Sequence, residues 1–220
     1  MKPLVLVPVK KLSRAKNRMS ALLTLDQRAG LASAMFTDVA ETLDGTGCRV
    51  AALTAAEDIA RSASRRGWRL LWEHTQISES ASVDAASRQL ASEGVRSVLR
   101  IPADVPLVKA EDIIELIELP CARPCAVLAP SWDFRGTNAI LRSPPDLFAS
   151  RFGPDSLRLH IDEALRKGAH CAVLQNTRIS LDLDEPADIR RFLETPSDTE
   201  TYRFLLRSGA AERITADGRK

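Results

Sequence analysis

The sequence predicts an α/β fold, a single domain whose mostly parallel central sheet carries helices on both faces. Three observations lead to this fold class. Short apolar runs alternate with longer segments of helical spacing along most of the 220 residues. The first run, at residues 4–9, is apolar throughout, which is typical of a strand buried on both faces. A hydrophobic content of 45% provides enough apolar surface for one substantial core.

Strand–helix alternation is regular through residue 118. After the first strand and a basic loop, periodic apolar residues predict a helix at 24–43, with Asp26 in its first turn. Further units of the same kind follow, and Gly67 and Gly94 end two of their helices. The other elements predicted in this half are strands at 48–53, 69–72 and 97–101 and helices at 55–66, 79–93 and 109–118.

The pattern changes after Pro120. Short strands are predicted at 125–129 and 138–142, and the turn-rich segment PSWDFRGT joins them as a hairpin or a reversal in the sheet. The remaining predicted elements are a helix at 155–167, a strand at 170–175 and helices at 186–194 and 199–207. From Gly209 the sequence is polar, so we expect a domain at 1–208 and a flexible tail at 209–220.

Composition excludes several classes of protein. The net charge is only +2, whereas a nucleic-acid partner usually requires a strongly basic face. No apolar run approaches the roughly 20 residues of a membrane span, and the first run is too short for a signal peptide, so we expect a cytoplasmic protein. The four cysteines form no C-x-x-C pair, which favours reduced thiols over a zinc site. A homodimer remains open.

A basic loop follows the first predicted strand, at the kind of sheet edge where α/β proteins bind ligands. Its cations are Lys10, Lys11, Arg14, Lys16 and Arg18. The loop fits neither the phosphate-binding G-x-x-x-x-G-K-[ST] pattern nor the dinucleotide-binding G-x-G-x-x-G pattern. Composition alone leaves two interpretations equally open, a site for a small polyanion such as a triphosphate and a solvated loop.

Carboxylates follow two other strands. Asp104 stands between Pro102 and Pro106, and this stiff placement suits a ligand of Mg²⁺, which takes one or two carboxylates with phosphate oxygens and water. The alternative is a turn aspartate that caps the next helix. Asp182 and Asp184 point the same way in an extended segment, and either could supply a second carboxylate. The alternative is that Asp184 or Glu185 caps the helix at Pro186, which explains one acid but gives Asp182 no role.

The segment from Gly136 to residue 160 combines hydroxyls, glycine amides and a cation. Thr137, Gly153 and Ser156 are suited to line a pocket for a small phosphorylated carboxylic acid. Ser156 has an alternative interpretation as a helix-start residue. His160 is a lone histidine on a predicted helix, and a structural role is the more common one for such a residue.

Together these segments resemble the 2-phospho-L-lactate guanylyltransferase family of coenzyme F420 biosynthesis, within the sugar-nucleotide and molybdenum-cofactor nucleotidyltransferase superfamily. The matching pieces, in family order, are VPVKKLSRAKNRMS, IPADVPLV, GTNAILRSPPDLFASRFGPDSLRLH and SLDLDEPADI. They cover nearly the whole chain, and the first and third are the most specific. The resemblance implies a Rossmann-like nucleotidyltransferase fold. It also implies transfer of GMP from GTP to 2-phospho-L-lactate, phosphoenolpyruvate or 3-phosphoglycerate, with release of pyrophosphate.

The resemblance also implies roles for individual residues. Asp104 and Asp184, with Asp182 as the weaker candidate, are expected to hold the divalent metal, Mg²⁺. Thr137, Gly153 and Ser156 are expected to line the acceptor-acid site. The residues expected at the nucleotide are Lys10, Ser13, Arg14, Lys16 and Asp84. Among these, Lys16 and Arg14 are expected to act in catalysis with Asp104. Family members usually carry P-G-D where this chain has Pro102, Ala103 and Asp104, and an asparagine where it has Asp84.

Two alternatives of other classes remain open at this stage. One is a transferase of the same fold with another base or acceptor, including a glycosyltransferase. The other is a non-catalytic nucleotide-binding module. The acids at two strand ends argue against the module, because such a module has no chemical reason to keep them.

Overall fold

The computed structural model of the protein describes residues 2–11, 16–73 and 77–217. The strands are β1 Leu4–Pro8, β2 Arg49–Thr54, β3 Arg69–Trp72, β4 Val98–Arg100, β5 Cys125–Pro130, β6 Thr137–Ser143 and β7 His170–Val173. The helices are α1 Leu25–Asp44, α2 Glu57–Arg65, α3 Glu79–Ser92, α4 Ala110–Glu118, α5 Ser156–Arg166, α6 Pro186–Leu193, α7 Glu200–Arg207 and α8 Ala210–Asp217, with a short 3-10 turn at Asn17–Met19. None of these helices, within the described ranges, is long and apolar enough to cross a lipid bilayer.

The strands of the described chain form one seven-stranded sheet in the order β3-β2-β1-β4-β6-β5-β7. β6 runs antiparallel to both β4 and β5, and the other neighbouring strands are parallel. The β5–β6 hairpin is therefore the reversal that the sequence predicts, and the α/β fold class is confirmed. Because β6 runs the other way, its first residues lie at the edge where the parallel strands end.

The sheet is covered on both faces, as the apolar β1 predicts. Val5 and Val7 pack into a core cluster with α1 and α4, whereas Leu4 and Leu6 pack into a second cluster with α3. This alternation follows the two-residue period of a strand. The predicted start of α1 is also present, because the Thr24 hydroxyl accepts the amide hydrogen bond of Gln27 at 3.2 Å.

The C-terminus corrects the expectation of a flexible tail. Residues 210–217 form α8, and Ala210 and Ile214 are fully buried against α6, α7 and α1. The prediction failed because α8 is short and only one narrow side of it is apolar. The polar residues Glu212, Arg213 and Thr215 dominate its sequence, but Ala210 and Ile214 are one helical turn apart and face inward together.

Candidate functional site

The candidate site lies beyond the ends of β4 and β7. Asp104 is in the loop after β4, and Asp182 and Asp184 are in the long connection between β7 and α6. A backbone hydrogen bond from the Leu183 amide to the Asp104 carbonyl, at 3.0 Å, ties the two loops together. The sequence places these acids at separate strand ends, and the fold brings them to one edge of the sheet.

Lys16 joins two of these acids. Its Nζ donates to Asp104 Oδ2 and to Asp184 Oδ1, both at 2.7 Å, and only 7% of its side chain is exposed. Its backbone has a φ of 55°, in the left-handed region, which turns the chain just before the 3-10 segment. We call Lys16, Asp104, Asp182 and Asp184 the carboxylate cluster.

The charges of the carboxylate cluster perturb one another. Burial works to lower the pKa of Lys16, but Asp104 and Asp184 outweigh it and raise that pKa, so the ammonium stays charged. Burial works to raise the pKa of Asp184, but Lys16 and then Arg18 and Lys10 lower it overall. Asp184 therefore remains a carboxylate, although it lies beside two other acids.

Asp182 behaves differently, because no cation among the described residues bonds to it. Its pKa is raised to about 7 by burial and by the negative charges of Asp104 and Asp184. Asn138, at the start of β6, donates from Nδ2 to Asp182 Oδ1 at 3.0 Å and also to the carbonyls of Ile179 and Ser180. Asn138 therefore fixes this loop to the sheet, a role that the sequence analysis missed.

Neither Asp104 nor Asp184 caps a helix, although capping was the alternative interpretation of each. At α4 the carboxylate of Asp112 accepts the Lys109 amide at 2.8 Å, so Asp104 is not needed there. At α6 the carboxylate of Asp188 accepts the amides of Asp184 and Glu185, at 3.0 and 2.7 Å. Both helix starts are thus supplied from inside their own first turns, which leaves the side chains of Asp104 and Asp184 for Lys16.

An ion pair holds the β7–α6 connection in place. Asp112 is 1% exposed and accepts two hydrogen bonds from the guanidinium of Arg178, at 2.7 and 2.5 Å, and one from Asn176 at 2.7 Å. Burial works to raise the pKa of Asp112, but Arg178 and Asn176 lower it overall. Because the two residues are 66 positions apart, no local sequence pattern could reveal this pair.

Trp132 is a second residue that the sequence analysis did not single out. Its amide donates to the Ser180 carbonyl at 3.0 Å, and its indole bonds the carboxylate of Asp188. The guanidinium of Arg191 lies 4.9 Å from the centre of its ring. The loop between β5 and β6 is therefore fastened to the segment that carries Asp182 and Asp184.

The predicted acceptor residues form a second group, the hydroxyl cluster, which we define as Thr137, Ser156 and His160. The Thr137 amide donates to Ser156 Oγ at 2.9 Å, and Thr137 Oγ1 lies 3.0 Å from His160 Nδ1. Gly153 precedes Ser156 with a φ of 126°, which only glycine adopts without strain, and its carbonyl accepts the Ser156 amide at 3.2 Å. The fold therefore brings Thr137, Gly153 and Ser156 together, and their role at the acceptor acid stays a prediction.

Apart from Lys16, the predicted nucleotide contacts divide into three groups. Lys10 is exposed beside the carboxylate cluster, and Ser13 and Arg14 lie outside the described residues. Asp84 has other partners than the prediction requires. Its carboxylate accepts the Ser150 amide at 3.0 Å and the Ser150 hydroxyl at 2.6 Å, and it pairs with the fully buried Arg142 at 3.2 Å. Asp84 is thus bonded to groups inside the protein and 14% of its side chain is exposed, and its contact with the nucleotide stays a prediction.

Comparison with known proteins identifies the family. The family model described as "Guanylyl transferase CofC like" matches residues 3–216. The chain is 34% identical over 185 residues to a phosphoenolpyruvate guanylyltransferase of Rubrobacter xylanophilus, covering 84% of this chain and 90% of the relative. It is 29% identical over 205 residues to a 2-phospho-L-lactate guanylyltransferase of Methanothermobacter thermautotrophicus, covering 93% and 90%. A 3-phospho-D-glycerate guanylyltransferase of Colwellia psychrerythraea is 28% identical over 187 residues, covering 84% and 88%.

Solved structures show the same fold. A protein of Desulfovibrio desulfuricans described as a nucleotide-diphospho-sugar transferase superposes with a TM-score of 0.77, over 98% of each chain and at 17% identity. A cytidylyltransferase of Leptospira borgpetersenii superposes with a TM-score of 0.60, over 97% of each chain and at 12% identity. The nucleotidyltransferase fold predicted from the sequence is confirmed, and the chain belongs to the CofC-like guanylyl transferase family.

Proposed function

We propose that this protein transfers the guanylyl group of GTP to a small phosphorylated three-carbon acid and releases pyrophosphate, in coenzyme F420 biosynthesis. The acceptor is 2-phospho-L-lactate, phosphoenolpyruvate or 3-phosphoglycerate, the three acids named for the relatives. One observation carries the proposal above the others. Lys16 bonds two carboxylates that reach it from two separate loops, and this places a buried cation at the edge of the sheet.

The chemistry needs positioning and charge more than proton transfer. The acceptor's phosphate monoester has its second pKa near about 6, so it is already ionised near neutral pH and needs no general base. The barrier arises from bringing this anion up to the α-phosphate of GTP. Lys16 has three N–H donors and uses two of them on Asp104 and Asp184, so the third is left for a phosphate oxygen.

The carboxylate cluster is chemically suited to a divalent metal. Two of the three carboxylates bond Lys16, and the pKa of the third, Asp182, is raised by burial and then by the negative charges of Asp104 and Asp184. Within the described residues no group of three or more histidine, cysteine, aspartate or glutamate side chains is placed to hold a metal ion. Mg²⁺ fits this arrangement, because it commonly takes one or two protein carboxylates and fills its other positions with phosphate oxygens and water.

We therefore assign Asp104 and Asp184, with Asp182, as the residues that would hold Mg²⁺. Bound there, the ion would offset the charge of the triphosphate and of the leaving pyrophosphate. Lys10 and Arg14, with Ser13, are proposed to bind the triphosphate from the basic loop. A cytoplasmic location and the absence of a nucleic-acid partner stay predictions.

The orientation of the acceptor follows from the two clusters. Its phosphate must reach the α-phosphorus of GTP, so this end belongs beside the carboxylate cluster. Its carboxylate is then left for the hydroxyl cluster, where Thr137 and Ser156 offer neutral hydrogen-bond donors. The Thr137 hydroxyl bonds His160, and the side chain of the next residue, Asn138, bonds Asp182. The two clusters therefore adjoin at the start of β6.

A pyrophosphate-release assay tests the proposal. Purified protein with Mg²⁺ is offered each of the four nucleoside triphosphates with each of the three acids, and the products are identified by mass. We expect release with GTP and one or more of the acids, and a product that contains GMP joined to the acid. Faster release with CTP, UTP or ATP would contradict the base assignment. Metal-dependent binding of GTP without release would identify a nucleotide-binding module.

A further inference from the structure

We propose that His160 is a positioning residue of the acceptor site, which turns the Thr137 hydroxyl into a hydrogen-bond donor for the acid's carboxylate. This inference rests on the proposed function. His160 has no exposed surface, and its ring lies against Phe152 and Phe148 with centroids 5.1 and 6.2 Å away. It therefore acts on a substrate only through a neighbour.

The protonation of His160 follows from its two hydrogen bonds. Nε2 is 2.8 Å from the backbone nitrogen of Arg151, and an amide N–H only donates, so Nε2 must be an acceptor without a proton. The pKa of His160 is lowered to about 4 by burial and by the nearby Arg142 and Arg100, so the ring is neutral at neutral pH. A neutral ring with a bare Nε2 carries its single proton on Nδ1.

This tautomer decides what the Thr137 hydroxyl can do. Nδ1–H donates to Thr137 Oγ1 at 3.0 Å, so the hydroxyl hydrogen cannot point at the imidazole and must be directed elsewhere. The opposite tautomer would draw that hydrogen inward and present a lone pair to the substrate. An anionic carboxylate is bound by a donor and repelled by a lone pair, so His160 favours an acid at this site.

The Ser156 hydroxyl also accepts a hydrogen bond from within the protein. The Thr137 amide donates to Ser156 Oγ at 2.9 Å, which occupies a lone pair of that oxygen and leaves its hydrogen free to donate. Both hydroxyls thus receive a hydrogen bond from within the protein, and each keeps its hydrogen to donate, although only 6% of Thr137 and 2% of Ser156 is exposed. The proposed carboxylate site is therefore made of hydroxyl donors, with Arg142 and Arg100 near His160.

His160 also holds the loop before Gly153. Three successive amides in this loop are fixed to separate side chains, Ser150 to Asp84, Arg151 to His160 and Phe152 to Ser80. A substitution of His160 therefore has both a structural and a positioning consequence, and the experiment must separate the two.

Three variants separate the structural consequence from the positioning consequence. His160→Phe keeps a ring among Phe148 and Phe152 but removes both hydrogen bonds. His160→Asn keeps a donor near the Nδ1 position and loses the acceptor for Arg151. Thr137→Val removes the hydroxyl and keeps the side-chain shape. Each is assayed with Mg²⁺ for the KM of GTP and for the KM of the fastest of the three acids, beside a thermal unfolding curve.

We expect His160→Phe and Thr137→Val each to raise the KM of the acid about 10-fold, which corresponds to the loss of one hydrogen bond to an anion. The KM of GTP should stay within about two-fold of the wild-type value, because a change below half a kcal/mol is the usual effect away from the affected site. His160→Asn should recover most of the acid KM. The double variant, which combines His160→Phe with Thr137→Val, should be no worse than Thr137→Val alone, because His160 acts through that hydroxyl.

Several results would overturn the inference. An additive loss in the double variant, an equal rise in the KM of GTP, or failure of His160→Asn to recover would each identify a purely structural role. If His160→Phe does not fold, Thr137→Val still decides, because an unchanged acid KM in that variant means that the hydroxyl is not used. If the wild-type protein transfers nothing to any acid, the proposed function fails and this inference falls with it. Wild-type activity with unchanged variants overturns this inference alone.

Discussion

The carboxylate cluster and the hydroxyl cluster are neighbours, yet they are built on opposite electrostatic principles. In the first, Lys16 lies between Asp104 and Asp184 at 2.7 Å and the charges shift one another's pKa values. In the second, a histidine with its pKa lowered to about 4 and two hydroxyls form a chain of neutral hydrogen bonds. From this difference we infer that the carboxylate cluster offsets the charge of the phosphates and that the hydroxyl cluster binds the carboxylate of the acceptor.

The difference also concerns how the two clusters are held. The carboxylate cluster is assembled from loops, which the Arg178–Asp112 pair and the Asn138 amide fasten to the sheet. The hydroxyl cluster is built from the ends of regular elements, since Thr137 begins β6 and Ser156 begins α5. Substitutions in the first should therefore affect catalytic rate strongly, and those in the second should affect the binding of one substrate.

The largest effect is expected for Asp104→Asn. It removes one negative charge at constant size, and the backbone carbonyl that bonds Leu183 is untouched. We expect kcat/KM to fall about 10³-fold, the upper range for loss of one electrostatic contact to the transition state. Steady-state pyrophosphate release measures it. Asp162→Asn, at an exposed ion pair on α5, is the matched control and should behave as wild type. Normal turnover in Asp104→Asn would remove this residue from the site.

The next effect is expected for Lys16→Gln. This change removes the cation that Asp104 and Asp184 share, together with the N–H assigned to a phosphate oxygen. We expect kcat/KM for GTP to fall about 10²-fold, since a hydrogen bond to a charged group contributes up to about 3 kcal/mol. Lys11→Gln, which removes the same charge from an exposed position in the same loop, serves as the control. Equal losses in both variants would show that the charge of the loop matters and the position of Lys16 does not.

These two residues also show how far the sequence could predict the site. The apolar runs and glycines predicted most elements of the sheet, because strand and helix periods are local properties. Asp104 could be singled out because it follows a strand and stands between prolines. The bonds of Lys16 to both acids could not be derived from spacing, because they join residues 88 and 168 positions apart.

The hydroxyl cluster was only partly predictable for the same reason. Thr137, Gly153 and Ser156 were found through a resemblance of motifs, but nothing local gives the tautomer of His160. That tautomer depends on the Arg151 amide and on burial, which exist only in the folded chain. Asp84 bonds Ser150 and Arg142, which its position in the motif did not reveal, and its nucleotide contact stays a prediction.

A smaller effect is expected for Ser156→Ala, which tests the hydroxyl cluster. It removes one neutral donor and the acceptor of the Thr137 amide. We expect the KM of the acid to rise about 10-fold, the effect of a single hydrogen bond, while kcat and the KM of GTP remain unchanged. Ser92→Ala, an exposed serine that bonds within its own helix, is the control. A fall in kcat without a change in the acid KM would place Ser156 with the carboxylate cluster and break the contrast between the two.

The smallest effect concerns pH and again distinguishes the clusters. Asp182 has a pKa raised to about 7, so below pH 7 it holds a proton that Mg²⁺ must displace. We expect the apparent affinity for Mg²⁺ to fall several-fold between pH 8 and pH 6 in the wild-type protein. Asp182→Asn should bind Mg²⁺ more weakly throughout and lose most of this dependence. Titration of Mg²⁺ at fixed GTP and acid across that range measures both variants.

The raised pKa of Asp182 also makes the free energy of unfolding depend on pH. This dependence has the opposite sign to that of an acid whose pKa is lowered by an ion pair. A carboxyl whose pKa is higher in the folded state binds protons preferentially there, so its contribution to stability is lost as the pH rises towards 7. The metal-free wild-type protein should therefore unfold at a lower temperature at pH 8 than at pH 6, and Asp182→Asn should reduce this difference. His160 contributes with the opposite sign. Its ring, with a pKa lowered to about 4, stays neutral in the folded protein, whereas the unfolded chain takes up a proton near the ordinary histidine pKa of 6.5, so this contribution to stability rises from pH 6 to pH 8. A dependence that persists in Asp182→Asn would mean that the strain of like charges lies elsewhere than in the carboxylate cluster.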